Sequence, residues 1–197
     1  MNLPSNEVLG ALSIAIACIG YISYFRSIAQ GITKPHPYSR LVWAILCFTT
    51  AAIQYNEGAG PGMWATLVTG IACSILAVIG FTISHKYVTK KDFMSLVLAF
   101  VSIVFWLFID SPLMAMLLIV AIDVFAFYPM FRKAWNHPHT EHLGLAYAST
   151  LKLCLSFMAL NIVNIITALP IVTFIFLNIA FILLSYYRRN KLGSCAQ

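Results

Sequence analysis

The sequence predicts an all-α membrane protein with seven transmembrane helices, arranged as two parallel three-helix repeats that are joined by a linker helix. The first observation is composition: 61% of the 197 residues are hydrophobic and 9% are charged, whereas a soluble domain needs about 25% charged residues. The second is that eleven of the twelve Lys and Arg residues lie on one side of the hydropathy pattern. The third is an internal repeat with an offset of 103 residues.

The spans follow from the apolar runs, because a helix needs roughly 20 mainly apolar residues to cross the hydrocarbon core. The runs lack the alternation of a transmembrane strand and therefore predict helices. The predicted spans are 8–27, 41–55, 63–84, 93–109, 112–131, 145–166 and 169–187. The corresponding organisation is a first repeat at 1–84, a linker with the fourth span at 85–111, a second repeat at 112–187 and a tail at 188–197.

The basic residues predict the orientation of these spans. The alternate loops and the tail carry Arg26, Lys34, Arg40, Lys86, Lys90, Lys91, Arg132, Lys133, Arg188, Arg189 and Lys191. Because cytoplasmic loops are enriched in Lys and Arg, we expect a cytoplasmic C-terminus and an N-terminus that is outside or lumenal. The expected location is the plasma (inner) membrane. This topology accounts for the net charge of +6, so nucleic acid is not an expected partner.

The internal repeat is visible around the first and fifth loops. An aromatic pair at 24–25 precedes a Pro-His pair at 35–36 by nine residues. The same arrangement recurs with an aromatic pair at 127–128 and a Pro-His pair at 138–139. Spans one, two and three shifted by 103 residues fall on or close to spans five, six and seven, and the fourth span is left over. A single linking span makes the two repeats parallel, with a pseudo-twofold axis along the membrane normal.

The segment 128–133, which follows helix five and precedes Pro138, resembles a PQ-loop motif. The same superfamily includes the SWEET sugar transporters and the KDEL receptors, which share the three-one-three helix plan and an outward or lumenal N-terminus. Met130 stands where the family has Gln, and Arg26 stands where the first repeat should have Pro.

The resemblance implies that Pro129 is a hinge, and that Pro35 at the corner of the first repeat has a related gating role. A proline inside a helix removes a hydrogen bond and allows bending. The alternative is that Pro129 only ends helix five.

Two oppositely charged residues lie inside predicted spans. Asp123 is nine residues before Arg132, about 13 Å at 1.5 Å per residue, and Lys152 lies at a similar depth in span six. A lone charge at the centre of a helix costs roughly 2.5–3.5 kcal/mol on insertion scales, so we expect Asp123 and Lys152 to pair. The pair is either a structural ion pair or a substrate-binding or proton-coupling site. A photoreceptor with Lys152 as a Schiff-base amine is a further alternative, although that lysine would be expected on the last helix.

Other polar residues are candidates for the same cavity. Ser149 and Ser156 lie at −3 and +4 from Lys152 and share its helix face. Asn178 lies near the middle of span seven, where it is similar to the sugar-site asparagine of SWEET carriers. Interhelical hydrogen bonding is the alternative role for such an amide.

The sequence provides little for catalysis or for a metal. Asp123 is the single acid inside a span, and paired acids, a metal cage or an activated nucleophile are missing. We therefore expect neither an enzyme nor a cofactor, and we interpret the histidines at 137–142 as an interfacial loop rather than a metal site.

The predicted function is transport of a small polar solute, such as a sugar or an amino acid, by alternating access between the repeats. The alternative is a non-transporting receptor or scaffold similar to the KDEL receptors. Apart from the solute and the lipid bilayer, the sequence indicates no partner. Proton coupling and homo-oligomer formation remain open.

Overall fold

The computed structural model describes residues 5–32, 35, 37–83, 97, 101, 104, 108, 111–136 and 143–193. Within these residues the regular structure is entirely helical, as predicted. The helices are α1 (Asn6–Ala29), α2 (Pro37–Asn56), α3 (Trp64–Ile83, after a 3-10 turn at Gly60–Met63), α4 (Pro112–Asn136), α5 (Gly144–Met158) and α6 (Ile165–Gly193). The predicted fourth span and the histidine-rich loop fall largely or wholly outside the described residues.

Three helical stretches are long and apolar enough to cross a membrane: Asn6–Ala29, Gly60–Ile83 and Ile165–Lys191. Two shorter stretches, Pro112–Phe125 and Gly144–Met158, are also apolar. Many large apolar side chains face outward, including Ile19 and Phe176, which are 67% and 70% exposed. Lipid accommodates such a surface, whereas a water-soluble monomer rarely exposes large apolar patches. The helices therefore suit a membrane protein.

The described helices cover predicted spans one, two, three, five and seven, but the helix over span six is shorter than predicted. The helix α5 ends at Met158 rather than near residue 166. A reciprocal cap marks the start of α6 inside the predicted span: Thr167 N donates to Asn164 Oδ1 at 2.8 Å, and Asn164 N donates to Thr167 Oγ1 at 3.0 Å. Such a cap fixes a new helix start. The chain between the two helices consequently forms a loop.

The hypothesis that Pro129 ends helix five is wrong. The helix α4 continues through Pro129 to Asn136, seven residues further on. A proline in the interior of a helix lacks the N–H that would bond to the carbonyl one turn earlier. The expected role of Pro129 as a hinge stays a prediction.

We call α1–α3 the first triplet and α4–α6 the second triplet, after the two repeats predicted from the sequence. In the first triplet α3 packs against both α1 and α2, and in the second triplet α6 packs against both α4 and α5. Between the triplets, α1 packs against α5, α2 against α4 and α6, and α3 against α5. Shifted by 103 residues, the starts of α1, α2 and α3 agree with those of α4, α5 and α6 within four residues.

Apolar clusters join the helices within and between the triplets. Val42, Leu46 and Ile53 of α2 pack against Met116 and Ile119 of α4 in an interface between the triplets. Another cluster joins α4, α5 and α6 near the end of the bundle where α6 ends. We call that end the carboxyl end, and we call the end where α1 begins the amino end.

Candidate functional site

The ammonium group of Lys152 lies where α5 of the second triplet meets α1 and α3 of the first. Its Nζ donates to Thr69 Oγ1 at 2.7 Å and lies 5.7 Å from the centroid of the Tyr21 ring. The Tyr21 hydroxyl is 3.9 Å from Cys73 Sγ. Lys152 is 9% exposed and is about 12 Å along α5 from Gly144 at 1.5 Å per residue. These side chains form a polar centre between the triplets.

A second cation lies one helical turn along α1 from this centre. Arg40, in the first turn of α2, donates from Nη2 to the Tyr24 hydroxyl at 2.9 Å. Its guanidinium is 4.8 Å from the centroid of the Tyr24 ring and 5.3 Å from that of Trp43. Tyr21 and Tyr24 are three residues apart, so they lie on neighbouring positions of one helix face. Each tyrosine thus contacts one cation.

The expected ion pair between Asp123 and Lys152 is not formed. Both residues are described, yet no ion pair with an N–O distance of 4.0 Å or less joins them. Asp123 shares a face of α4 with Met116 and Ile119, which pack against α2, and it is 3% exposed. Equal depth along the helices predicted the pair, but α4 packs against α6 and α2, whereas α5 packs against α1, α3 and α6. Asp123 and Lys152 therefore reach the interface between the triplets from different sides.

No described residue donates a hydrogen bond to the Asp123 carboxylate. Cys47 of α2 lies within electrostatic reach of both Asp123 and Lys152. The two charges thus belong to one region of the interface without being in contact.

The remaining predicted binding residues are distributed along the interface. Ser149 is half-buried and lines the same small gap between α1 and α5 as Lys152. Ser156 is fully buried nearer the amino end, and its Oγ has no hydrogen-bond partner among the described residues. Asn178 is buried, and its Nδ2 donates to Phe174 O of its own helix at 2.8 Å. Of these three residues, Ser149 is thus the one that shares a gap with Lys152.

Pro35 is buried at the corner between α1 and α2. A Cβ added to Gly80 of α3 would lie 3.0 Å from Pro35 O and 3.0 Å from the Cα of Pro37. Because glycine allows this close approach, the corner packs directly on the backbone of α3. The side chain of Pro129 lies outside the described part of the chain.

Hydrogen bonds between the triplets close the amino end. Asn6 Nδ2 donates to Asn161 Oδ1 at 2.9 Å, and Asn161 N donates to Ala59 O at 3.1 Å. Two further bonds cross the same boundary, from Asn164 Nδ2 to Glu57 Oε2 at 3.2 Å and from Gln54 Nε2 to Thr167 O at 2.8 Å.

Gly62 packs closely across the same boundary between the triplets at the amino end. A Cβ there would lie 2.5 Å from Leu160 Cδ2 and 2.9 Å from Ser156 O. The glycine is therefore required for the loop of the first triplet to approach α5 and the loop that follows it.

Two hydrogen bonds between described residues join helices of the second triplet at the carboxyl end. The Tyr147 hydroxyl donates to the Tyr186 hydroxyl at 2.9 Å, and Arg188 Nε donates to Trp135 O at 2.8 Å. The Arg188 guanidinium also lies 4.4 Å from the centroid of the Trp135 ring. These contacts stabilise the second triplet as a unit at this end.

Within the described ranges, no group of three or more His, Cys, Asp or Glu side chains could hold a metal ion. Sequence reasoning missed Tyr21, Thr69 and Arg40. The spacing of Tyr21 and Tyr24 was an available signal, whereas Thr69 in an apolar span had no distinguishing feature before its contact with Lys152 was known.

Comparisons of the chain with protein-family models, with curated proteins and with solved structures gave no match.

Proposed function

We propose that this protein is a membrane transporter that moves a small polar solute by alternating access between its two triplets. The observation that carries the proposal is the position of Lys152: a buried cation of the second triplet that contacts Thr69 and Tyr21 of the first. Charged residues inside a membrane protein are costly and commonly mark a substrate or ion pathway. Here the charge lies at the boundary that alternating access would open.

The repeated architecture supports this proposal. In both triplets the third helix packs against the other two, and the helix starts correspond at the offset of 103 residues. Internal repeats with a binding site at their interface are common among secondary transporters. We therefore propose the three-one-three arrangement of seven spans, in which 93–109 is the linker helix, and a relationship to PQ-loop and SWEET-like proteins.

The distribution of contacts suggests which side is closed. The hydrogen bonds at the amino end cross between the triplets, so a solute could pass there only after Asn6, Asn161 and Ala59 had separated. With the proposed N-out topology, these bonds support a state that is closed to the outside. Movement of the triplets about α4 and its Pro129 would then open the amino end.

The test is uptake by proteoliposomes that contain the purified protein. A panel of labelled sugars, amino acids and small organic acids would be offered with and without a pH gradient. We expect saturable uptake of at least one solute, with empty liposomes as the control. A protein that binds a panel member but never transports it would be a receptor or scaffold, and that result would contradict the proposal.

A further inference from the structure

The ammonium group of Lys152 has more donors than the described residues satisfy. A lysine carries three N–H donors and no acceptor, and Thr69 Oγ1 accepts one of them at 2.7 Å. Among the described residues, no second acceptor is bonded to Lys152 Nζ and no carboxylate lies within 4.0 Å of it. Since Lys152 is 9% exposed, its remaining donors lie in a largely buried interface and would bind an acceptor strongly.

The space around Lys152 is narrow and mostly apolar. The gap between α1 and α5 has a volume of about 10 Å³, and Ala17, Gly20, Tyr21 and Ala148 help to line it. A space of this size holds about one water molecule. A ligand with several non-hydrogen atoms could therefore reach Lys152 only when α1 and α5 separate, as the proposed transport cycle requires.

A second cation follows the first along α1. Arg40 contacts Tyr24 by a hydrogen bond and through the face of its ring, one turn from the tyrosine that Lys152 approaches. Three residues of helix correspond to roughly 4.5 Å along the axis. A path that runs inward along this face of α1 thus passes two positive charges, which attract an anion and repel a cation.

The acid in this region does not neutralise these charges by contact. Asp123 lies on α4 among apolar residues that face α2, and it makes no ion pair with Lys152. The two cations, Lys152 and Arg40, thus lie beside tyrosines of α1. The acids at this interface among the described residues lie elsewhere, Asp123 on α4 and Glu57 at the amino end. The apolar lining near Lys152 favours a ligand with one anionic group and a short apolar body.

We infer that Lys152, anchored by Thr69, binds the carboxylate of a small organic acid, and that this class of anion is the solute of the transporter. The inference depends on the proposed function for the transport step, but not for the binding site itself. Thr69 is a positioning residue, because it holds the lysine rather than contacting the solute.

The experiment measures the melting temperature of the detergent-purified protein at constant ionic strength. The probes are propionate, succinate and benzoate, each with its neutral amide: propionamide, succinamide and benzamide. We expect at least one carboxylate to raise the melting temperature in a saturable manner while its amide does not. Lys152→Met should weaken this binding at least about tenfold, since removing one partner of a buried charged contact costs more than one decade in affinity.

Two further variants distinguish a loss of the binding site from a folding defect. Lys152→Arg keeps the charge and should retain binding, whereas Thr69→Val should weaken binding while the lysine is still present. Arg188→Met, which removes a cation at the carboxyl end, is the matched control and should bind like the parent. Equal stabilisation by the amides, undiminished binding by Lys152→Met, or no stabilisation by any carboxylate would each overturn the inference.

Different results would contradict the proposed transport function and the proposed carboxylate site. Uptake of a neutral or cationic solute that does not compete with any carboxylate would overturn the carboxylate site and leave the transporter standing. A carboxylate that binds through Lys152 but never crosses the proteoliposome membrane would support the site and contradict transport.

Discussion

The independence of Asp123 and Lys152 can be tested by a double-mutant cycle with Asp123→Asn and Lys152→Met. Lys152→Met removes one hydrogen bond of a charged group, worth about 1.5–3 kcal/mol. It also removes a cation that costs roughly 2.5–3.5 kcal/mol near the centre of a membrane helix. Because the two effects oppose each other, the free energy of unfolding should stay within about 2 kcal/mol of the parent value.

The coupling energy is the decisive quantity of this cycle. The effects of two mutations on the free energy of unfolding add to within about 0.5 kcal/mol when the residues are far apart and share no partner. The effects of mutations at contacting residues deviate from additivity by about 0.5–3 kcal/mol. Since Lys152 contacts Thr69 and not Asp123, we expect negligible coupling for Asp123 with Lys152. The matched cycle of Thr69→Val with Lys152→Met should show clear coupling.

Reversible unfolding in mixed detergent micelles, followed by circular dichroism, provides the free energies. If Lys152→Met alone cost about 3–5 kcal/mol and the double variant recovered that loss, a buried ion pair would be the better description. That result would refute the reasoning from the structure.

Three further predictions concern the ends of the bundle. Gly62→Ala should impair closure of the amino end and lower the melting temperature, because its Cβ would lie 2.5 Å from a leucine side chain. The control Gly20→Ala should be tolerated, because its Cβ would lie 3.5 Å from its nearest neighbour. Equal melting temperatures of the two variants would contradict this prediction. Asn164→Ala should lower the free energy of unfolding by about 0.5–2 kcal/mol, since it removes a helix cap, and chemical denaturation measures the loss. In a background without native cysteines, a cysteine in place of Asn161 should react with an impermeant maleimide from outside the cell. A cysteine in place of Ile32 should react only after the membrane is permeabilised. The reverse labelling pattern would show the proposed orientation to be wrong.

Much of the fold follows from the sequence because hydrophobicity and length determine where an apolar helix forms. The bounds of α1 and α3 agree with the predicted spans within two residues. The predicted end of α5 was wrong because average hydropathy does not register helix capping: the cap between Asn164 and Thr167 starts a new helix inside the predicted span. Local hydrogen bonding therefore set a boundary that average hydropathy had concealed.

The candidate site was only partly predictable, for a different physical reason. The cost of burying a charge identifies Lys152 and Asp123 as exceptional residues from the sequence alone. Their partners depend on which helices pack together, and adjacency in the chain did not give that packing. Thr69 and Tyr21 became visible as partners of Lys152 only in the folded chain.

The proposal of alternating access is tested most directly by locking the amino end. Asn161 N and Ala59 O are 3.1 Å apart across the boundary between the two triplets. The double variant Ala59→Cys, Asn161→Cys would therefore place two thiols close together at the amino end. The measurement is uptake by proteoliposomes of the solute that the parent transports, before oxidation, after oxidation and after reduction, with each single variant as a control. Transport that is lost when the disulfide forms and returns when it is reduced is the expected result. Undiminished uptake with the disulfide fully formed would contradict the account.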